Sequence, residues 1–138
     1  MEDSAWRLKD IGGFIYLLNC YGPDEQDVLQ RRFKKDKSSL RMLYDQLTAF
    51  EKLGFDDAME FGRLTKRIKT ISNNKHLALI EIRVGKTLWR VITHVDYEKK
   101  VFVMIDAFEH HKKKTMNQEI EENESKIRKA MEMLREVE

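Results

Sequence analysis

Three apolar segments in close succession decide the fold of this chain: LALIEIRV (77–84), TLWRVITHV (87–95) and VFVMIDAF (101–108). Dense β-branched and aromatic residues, bounded by turn residues, are typical of strands. Gly85-Lys86 between the first two segments fits a two-residue hairpin, with Gly at the first central position of a type II′ turn. A basic segment, EHHKKKT (109–115), follows the third. The sequence therefore predicts a sheet whose last strand ends in a cluster of His and Lys.

The two-residue turn also predicts the register of the hairpin. It pairs Val84 with Thr87 and Glu81 with Arg90. Because side chains alternate across a strand, Arg83 and Arg90 are expected to project from the same face. The opposite face is apolar and is expected to lie in the core; it contains Ala78, Ile80, Ile82, Val84, Trp89, Val91 and Val95.

The segments before the hairpin predict one strand and two helices. Residues 6–18 are typical of an opening strand around Gly12-Gly13, although FIYLLNC (14–20) would also suit a helix. Pro23 followed by acidic residues predicts a helix over 23–35. A second helix is expected to begin at Asp36 or Ser38 and to end near Leu53. Residues 55–74 are interpreted as a mixed connector.

After the basic segment, Thr115 and Gln118 form a capping-box pattern that predicts a C-terminal helix. The expected fold class is α+β: a twisted, mainly antiparallel sheet of about four strands, with two N-terminal helices packed on it and a C-terminal helix. A chain of 138 residues fits one domain, expected to span 1–138.

The composition narrows the classes of function. Residues 63–114 carry 13 basic and 5 acidic side chains, a local net charge of +8, whereas the whole chain has +2. Such a block favours a polyanion or an acidic partner, and a solvated face is the alternative. No apolar run approaches the roughly 20 residues of a membrane span, and a single Cys allows no internal disulfide. We therefore expect a cytoplasmic protein that does not contact a membrane.

Several kinds of site find no support in the sequence. It has no Gly-rich phosphate loop, no Gly-x-Ser-x-Gly and no Cys pair with zinc spacing. We therefore expect no metal site and no cofactor.

The chemistry that these residues suit is RNA cleavage without a metal. That reaction requires a base near the 2′-hydroxyl, an acid near the leaving oxygen and cations for the charge at phosphorus. His suits proton transfer near neutral pH, and Arg offers paired donors to phosphate. The residues considered are Arg83, Arg90, His94, His110, His111, Lys112, Lys113 and Lys114. An exposed basic loop and a Glu81–Arg90 ion pair without function are the alternatives.

A family resemblance gives this cluster a context. The matching residues are Glu81-Ile82-Arg83, Arg90, Val103 to Phe108, Lys114-Thr115 and Glu119-Ile120. In this order they resemble the RelE/ParE superfamily of toxins, specifically the HigB-like branch that also occurs in phages. The chain departs from that pattern where His110 and His111 replace two basic residues and Met116 replaces a Pro.

The resemblance implies a RelE-like fold and a toxin of a type II toxin–antitoxin system. Such a toxin is a ribosome-dependent mRNA endoribonuclease that needs no metal. It also implies a partner, a helix-turn-helix, HigA-like antitoxin. The toxin would contact operator DNA only as part of a complex with this antitoxin. Carried onto this chain, the expected catalytic residues are Arg83, Arg90, His110, His111 and Lys114, and the expected RNA-binding residues are Lys86, His94, Lys112 and Lys113. A ParE-like inhibitor of DNA gyrase and a non-catalytic nucleic-acid-binding module are the alternatives.

Overall fold

The computed structural model describes residues 6–20, 26–71, 73–110 and 114–136, and these form six strands and five helices. The strands are β1 (Trp6–Gly12), β2 (Ile15–Cys20), β3 (Ile68–Ile71), β4 (Asn74–Val84), β5 (Thr87–Asp96) and β6 (Val101–Glu109). The helices are α1 (Val28–Arg32), α2 (Lys37–Leu53), α3 (Phe55–Leu64), α4 (Met116–Glu122) and α5 (Glu124–Glu136). None of these helices combines the length and the apolar character that a membrane span requires.

The strands form one mixed sheet in the order β1-β2-β6-β5-β4-β3. Every neighbouring pair is antiparallel except β2 and β6, which are parallel. The fold is therefore α+β, as expected, but the expectation of about four strands was wrong. The opening segment contains two strands because Gly12 and Gly13 turn the chain back with positive φ angles of 155° and 56°. Glycine reaches such angles without a steric penalty.

The predicted hairpin between β4 and β5 is confirmed. Val84 pairs with Thr87, Ile82 with Trp89 and Glu81 with Arg90. Gly85 has a φ of 62° and Lys86 is not among the described residues with positive φ, as a type II′ turn requires. The predicted apolar face, from Ala78 to Val95, packs in the core.

The N-terminal helices differ from the prediction in number and in their bounds. The first described helix begins at Val28, capped by Asp27, and the predicted start at Pro23 lies outside the described residues. The second helix is confirmed, with Asp36 as its N-cap and Gly54 after its last residue. The connector predicted over 55–74 contains α3 and β3, so that interpretation was wrong. Helix α3 is only 10 residues long and contains Gly62, which makes its apolar pattern weak in the sequence.

The capping box of Thr115 and Gln118 is confirmed. The C-terminal helix is nevertheless divided, because Asn123 leaves helical geometry between α4 and α5. The side-chain amide of Asn123 donates to the carbonyl of Glu119 at 2.9 Å.

The two faces of the sheet are covered by different helices. Helices α1, α2 and α3 pack on one face, against residues such as Ile80, Val91 and Phe102. Helix α5 covers part of the other face through Ile127, Ala130 and Leu134, which pack with Leu79, Ile92 and Val103.

Candidate active site

The face beneath α5 continues towards the β4–β5 turn, where polar side chains replace apolar ones. We call this region the hairpin surface; it consists of Glu81, Arg83, Leu88, Arg90, Phe108 and His110. Its residues share a face because Glu81 pairs with Arg90 and Arg90 pairs with Phe108. Arg83 and His110 are exposed, whereas Glu81, Arg90 and Phe108 are half-buried.

Arg90 lies at the centre of the hairpin surface. Its Nε donates to Oε2 of Glu81 at 2.9 Å, and both side chains are largely buried, 14% and 15% exposed. Its Nη1 lies 3.2 Å from Nδ1 of His110. The predicted ion pair between Glu81 and Arg90 therefore exists, and Arg90 contacts a histidine as well.

The backbone holds His110 beside Arg90. The amide of His110 donates to the carbonyl of Leu88 at 2.7 Å, which continues the β5–β6 pairing by one residue past the end of β6. The side chain of His110 therefore projects from the same face as Arg90, two residues beyond Phe108. The last residue pairing of this sheet thus determines the position of the imidazole.

The contact with Arg90 also determines the tautomer of His110. A guanidinium has only donors, so Nδ1 of His110 must accept. A neutral imidazole that accepts at Nδ1 carries its proton on Nε2. When neutral, His110 therefore carries its remaining donor on Nε2, the ring nitrogen that does not contact Arg90.

Arg83 and Lys86 remain exposed on β4 and in the turn. Arg83 lies on the same face as Arg90 but pairs with Leu88, so the two arginines are diagonal neighbours. Arg83 also reaches the outer edge of β4, where it lines a groove together with Arg67. No ion pair with another described residue involves Arg83 or Lys86.

The structure separates His94 from the other predicted residues. It is four positions from Arg90 along β5, roughly 13 Å at 3.3 Å per residue. It is 4% exposed, and its Nδ1 has no hydrogen-bond partner in the described part of the chain. Burial lowers the pKa of His94, and Asp96 opposes that shift only in part. His94 lies under α5, in the lining of a pocket that it shares with Met131 and Leu134, and its binding to RNA stays a prediction.

The basic segment is described only at its two ends. His111, Lys112 and Lys113 lie outside the described residues. Lys114 is exposed and its Nζ lies 2.9 Å from Oε1 of Glu122, a contact that raises the pKa of Lys114. Lys114 faces a polar cavity of about 420 Å³ next to β6 instead of the Arg90–His110 pair.

This cavity contains a buried carboxylate that the sequence analysis did not single out. Asp106 is 2% exposed and accepts from Nε and Nη2 of Arg32, at 2.7 and 2.9 Å, and from Nζ of Lys126 at 2.9 Å. Burial alone would raise the pKa of Asp106, but the hydrogen bonds from Arg32 and Lys126 outweigh it and lower the pKa. The signal for this site was an acid within the otherwise apolar run VFVMIDAF.

The described residues contain no group of three or more His, Cys, Asp or Glu side chains that could hold a metal ion. The carboxylate of Asp106 forms ion pairs with Arg32 and Lys126. The hairpin surface carries two guanidinium groups, one imidazole and one carboxylate, from Arg83, Arg90, His110 and Glu81.

Comparisons with known proteins give no family for this chain. No protein-family model matches it, and neither a curated protein nor a solved structure does.

Proposed function

We propose that this chain is a toxin of a type II toxin–antitoxin system, acting as a metal-independent endoribonuclease that cuts mRNA on the ribosome. A helix-turn-helix antitoxin of the HigA-like kind is the proposed partner. The observation that carries the proposal is the Arg90–His110 pair, 3.2 Å apart on an accessible face at the start of a basic segment.

Arg90 has the donors that a scissile phosphate requires. A guanidinium carries five N–H donors, of which Glu81 takes one at Nε and His110 engages one at Nη1. The remaining donors, including both on Nη2, can bind phosphate oxygens. Because Glu81 holds Nε in place, Arg90 would meet the phosphate without first losing side-chain freedom, which favours stabilisation of the charge at phosphorus.

The reaction that we propose is attack of the 2′-oxygen on phosphorus. The bond between phosphorus and the 5′-oxygen breaks, which leaves a 2′,3′-cyclic phosphate and a 5′-hydroxyl. The proton of the 2′-hydroxyl goes to a base, and the leaving oxygen receives a proton from an acid. His110 and His111 are the residues proposed to move these protons, and Arg83 and Lys114 are proposed to assist at the phosphate.

His110 can act as a base only if its Nδ1 becomes free. When Nη1 of Arg90 turns towards a phosphate oxygen, it leaves Nδ1 of His110 without a donor and able to accept a proton. Binding of RNA at Arg90 would thus activate the base. Lys86, Lys112 and Lys113 would hold the flanking RNA or ribosomal backbone; His94 would have to leave its buried position to do so.

The proposal is tested by inducing the chain in a bacterial host and mapping new 5′ ends on cellular mRNA. We expect cuts in phase with codons and rapid loss of translation. Arg90→Ala should reduce cleavage by about 10²-fold or more, as loss of a transition-state donor does elsewhere. The matched control is Arg128→Ala, which removes an exposed arginine of an α5 ion pair and should leave cleavage unchanged.

A second variant distinguishes catalysis from structure. Glu81→Gln removes the ion pair but leaves the guanidinium in the hairpin surface, so it should reduce cleavage less than Arg90→Ala does. Growth arrest with intact messages would indicate gyrase inhibition instead. Absence of arrest would indicate a binding module and would overturn the proposal.

A further inference from the structure

The outer edge of β4 is unpaired along its last residues. Strand β3 pairs with β4 up to Ile68 and Ile80, and the amide of Glu81 still donates to the carbonyl of Arg67 at 2.8 Å. Before Arg67, the chain diverges from β4 at Lys66, which has a φ of 62°. In the described part of the chain no strand lies beside Ile82–Val84 on this side.

The backbone of Arg83 points towards this open edge. Peptide groups of alternate residues in a strand point to the same neighbour. Glu81 bonds towards β3, so the N–H and C=O of Arg83 face the same side. Three residues of strand, about 10 Å long, therefore present a donor and an acceptor to a groove.

The groove beside this edge has a volume of about 590 Å³. It lies between α2, β4 and the turn at 65–67. Apolar side chains of Met42, Ala49 and Ile82 contribute to its lining. It thus offers contacts for side chains as well as for a backbone.

Cations line the same groove. Lys66, Arg67 and Arg83 contribute to it, and all three are exposed. Two acids, Asp45 and Glu81, also line the groove. The carboxylate of Glu81 forms an ion pair with Arg90. Asp45 forms no ion pair with another described residue, so the three cations outnumber the unpaired acid.

A buried donor without an acceptor lies on the α2 side of the groove. Gln46 is 9% exposed, and its Nε2 has no hydrogen-bond partner in the described residues. An unmet buried donor is costly, and Gln46 lines the groove, where a bound carbonyl or carboxylate could accept from it. The side chain is therefore suited to a ligand with acceptor oxygens.

We propose that this groove binds an extended, acidic segment of a partner protein, which adds a strand to the free edge of β4. Main-chain bonds at an open edge provide the affinity in this mode of recognition, and side-chain pockets provide the specificity. The three cations disfavour pairing of this edge with the β4 edge of a second copy of the chain, because such pairing would bring the cations of the two copies together. The apolar lining and the strand edge favour a peptide over RNA, which would use neither.

This proposal does not depend on the proposed nuclease activity. Lys66, Arg67 and Gln46 have no role in the proposed RNA cleavage, so variants at these positions test the groove by itself. Failure of one proposal would leave the other standing.

The experiment presents the full chain to a phage-displayed library of random octapeptides. We expect enrichment of sequences that alternate acidic with β-branched residues. Titration of an enriched, labelled peptide should show binding that is about tenfold weaker with Lys66→Gln and Arg67→Gln together, and about fivefold weaker with Gln46→Leu. Arg128→Gln is the matched control and should bind unchanged. The same peptide methylated on alternate backbone nitrogens should bind far more weakly, because it cannot pair with a strand edge.

Amide chemical shifts of the unmodified protein provide a second test that requires no variant. Addition of the peptide should shift the backbone amide of Arg83 and the side-chain amide of Gln46. Shifts confined to other elements would overturn the proposal, as would a library without enrichment. Equal binding of the methylated peptide would also overturn it. So would a short single-stranded RNA that binds the groove and displaces the peptide at lower concentration than unlabelled peptide does.

Discussion

At Gly62, helix α3 lies close against Ile68 of β3. A Cβ atom at this position would lie no farther than 3.0 Å from three side-chain atoms of Ile68. Helix propensity by itself favours alanine over glycine within a helix. At position 62 glycine is favoured instead, because an added methyl group would overlap with Ile68 and well-packed side chains cannot move far enough to make room.

We expect Gly62→Ala to reduce the free energy of unfolding by about 1–3 kcal/mol, as overpacking does. Urea unfolding followed by circular dichroism measures the change. Ile68→Val removes the atom that lies nearest, so it should restore part of the loss in the double variant.

The control for this prediction is Gly85→Ala in the β4–β5 turn. Gly85 has a φ of 62°, and an added Cβ would meet nothing within 4 Å. Its cost should come from backbone strain alone, roughly 1–2 kcal/mol, and Ile68→Val should not relieve it. Equal rescue of both variants would contradict the steric explanation.

Among the elements, α1 and α5 are joined by one carboxylate although they cover opposite faces of the sheet. Asp106 accepts from Arg32 at the end of α1 and from Lys126 on α5. Strand β2 pairs with β6 only over Phe102 to Met104, so Asp106 lies beyond that pairing, where both helices can reach it. The ion pairs therefore connect α1 and α5 to the part of β6 that does not pair with β2.

We expect Asp106→Asn to reduce the free energy of unfolding at pH 7 by about 2 kcal/mol, the scale of hydrogen bonds to charged groups. Arg32 and Lys126 are partly exposed and can be hydrated afterwards, which limits the loss. Urea unfolding of both proteins measures it. The control is Asp56→Asn, which removes an exposed ion pair with Lys100 and should cost far less.

For the whole molecule, the lowered pKa values of His94 and Asp106 predict how stability depends on pH. The pKa of His94 is lowered in the folded protein, chiefly by burial, so the unfolded chain takes up a proton first as pH falls. Stability is therefore highest above about pH 6.5, the ordinary value for His, and declines below it. The pKa of Asp106 is also lowered, so its contribution is present above about pH 4 and disappears as pH falls through the folded value.

The measurement is urea unfolding of the wild type and of His94→Gln at pH 7 and at pH 5.5. The wild type should lose stability over this interval and His94→Gln should lose less. The acidic neighbour Asp96 opposes the lowering of the His94 pKa, whereas the electrostatic interaction with His76 reinforces it and a backbone hydrogen bond of His76 opposes it. Identical losses in the two proteins would show that His94 is not the group responsible. Asp106→Asn serves as a control: it should be less stable than the wild type by a similar amount at both pH values, and its pH dependence should depart from that of the wild type only near pH 4.

Short-range patterns in the sequence were sufficient to predict the β4–β5 hairpin, helix α2 and the start of α4. The Gly85-Lys86 turn was sufficient to predict the register that brings Glu81 opposite Arg90, because a two-residue loop permits one pairing of the flanking strands. The second helix was also predictable from local residues, because Asp36 caps its first turn and Gly54 follows its last residue. The capping box at Thr115 likewise requires only two residues three positions apart, Thr115 and Gln118.

Only the tertiary structure decided the features that join distant parts of the chain. Ile15 of β2 pairs with Phe102 of β6, 87 positions later in the sequence. A parallel pairing of this kind cannot be predicted from the local periodicity of either strand. The ion pairs of Asp106 depend in the same way on helices that meet only after folding. The sequence made His94 an RNA-binding candidate and His110 a catalytic candidate, but it did not show where either side chain lies. One is buried beneath α5 and the other contacts Arg90, because the position of a side chain relative to the covering helix is a property of the packed sheet.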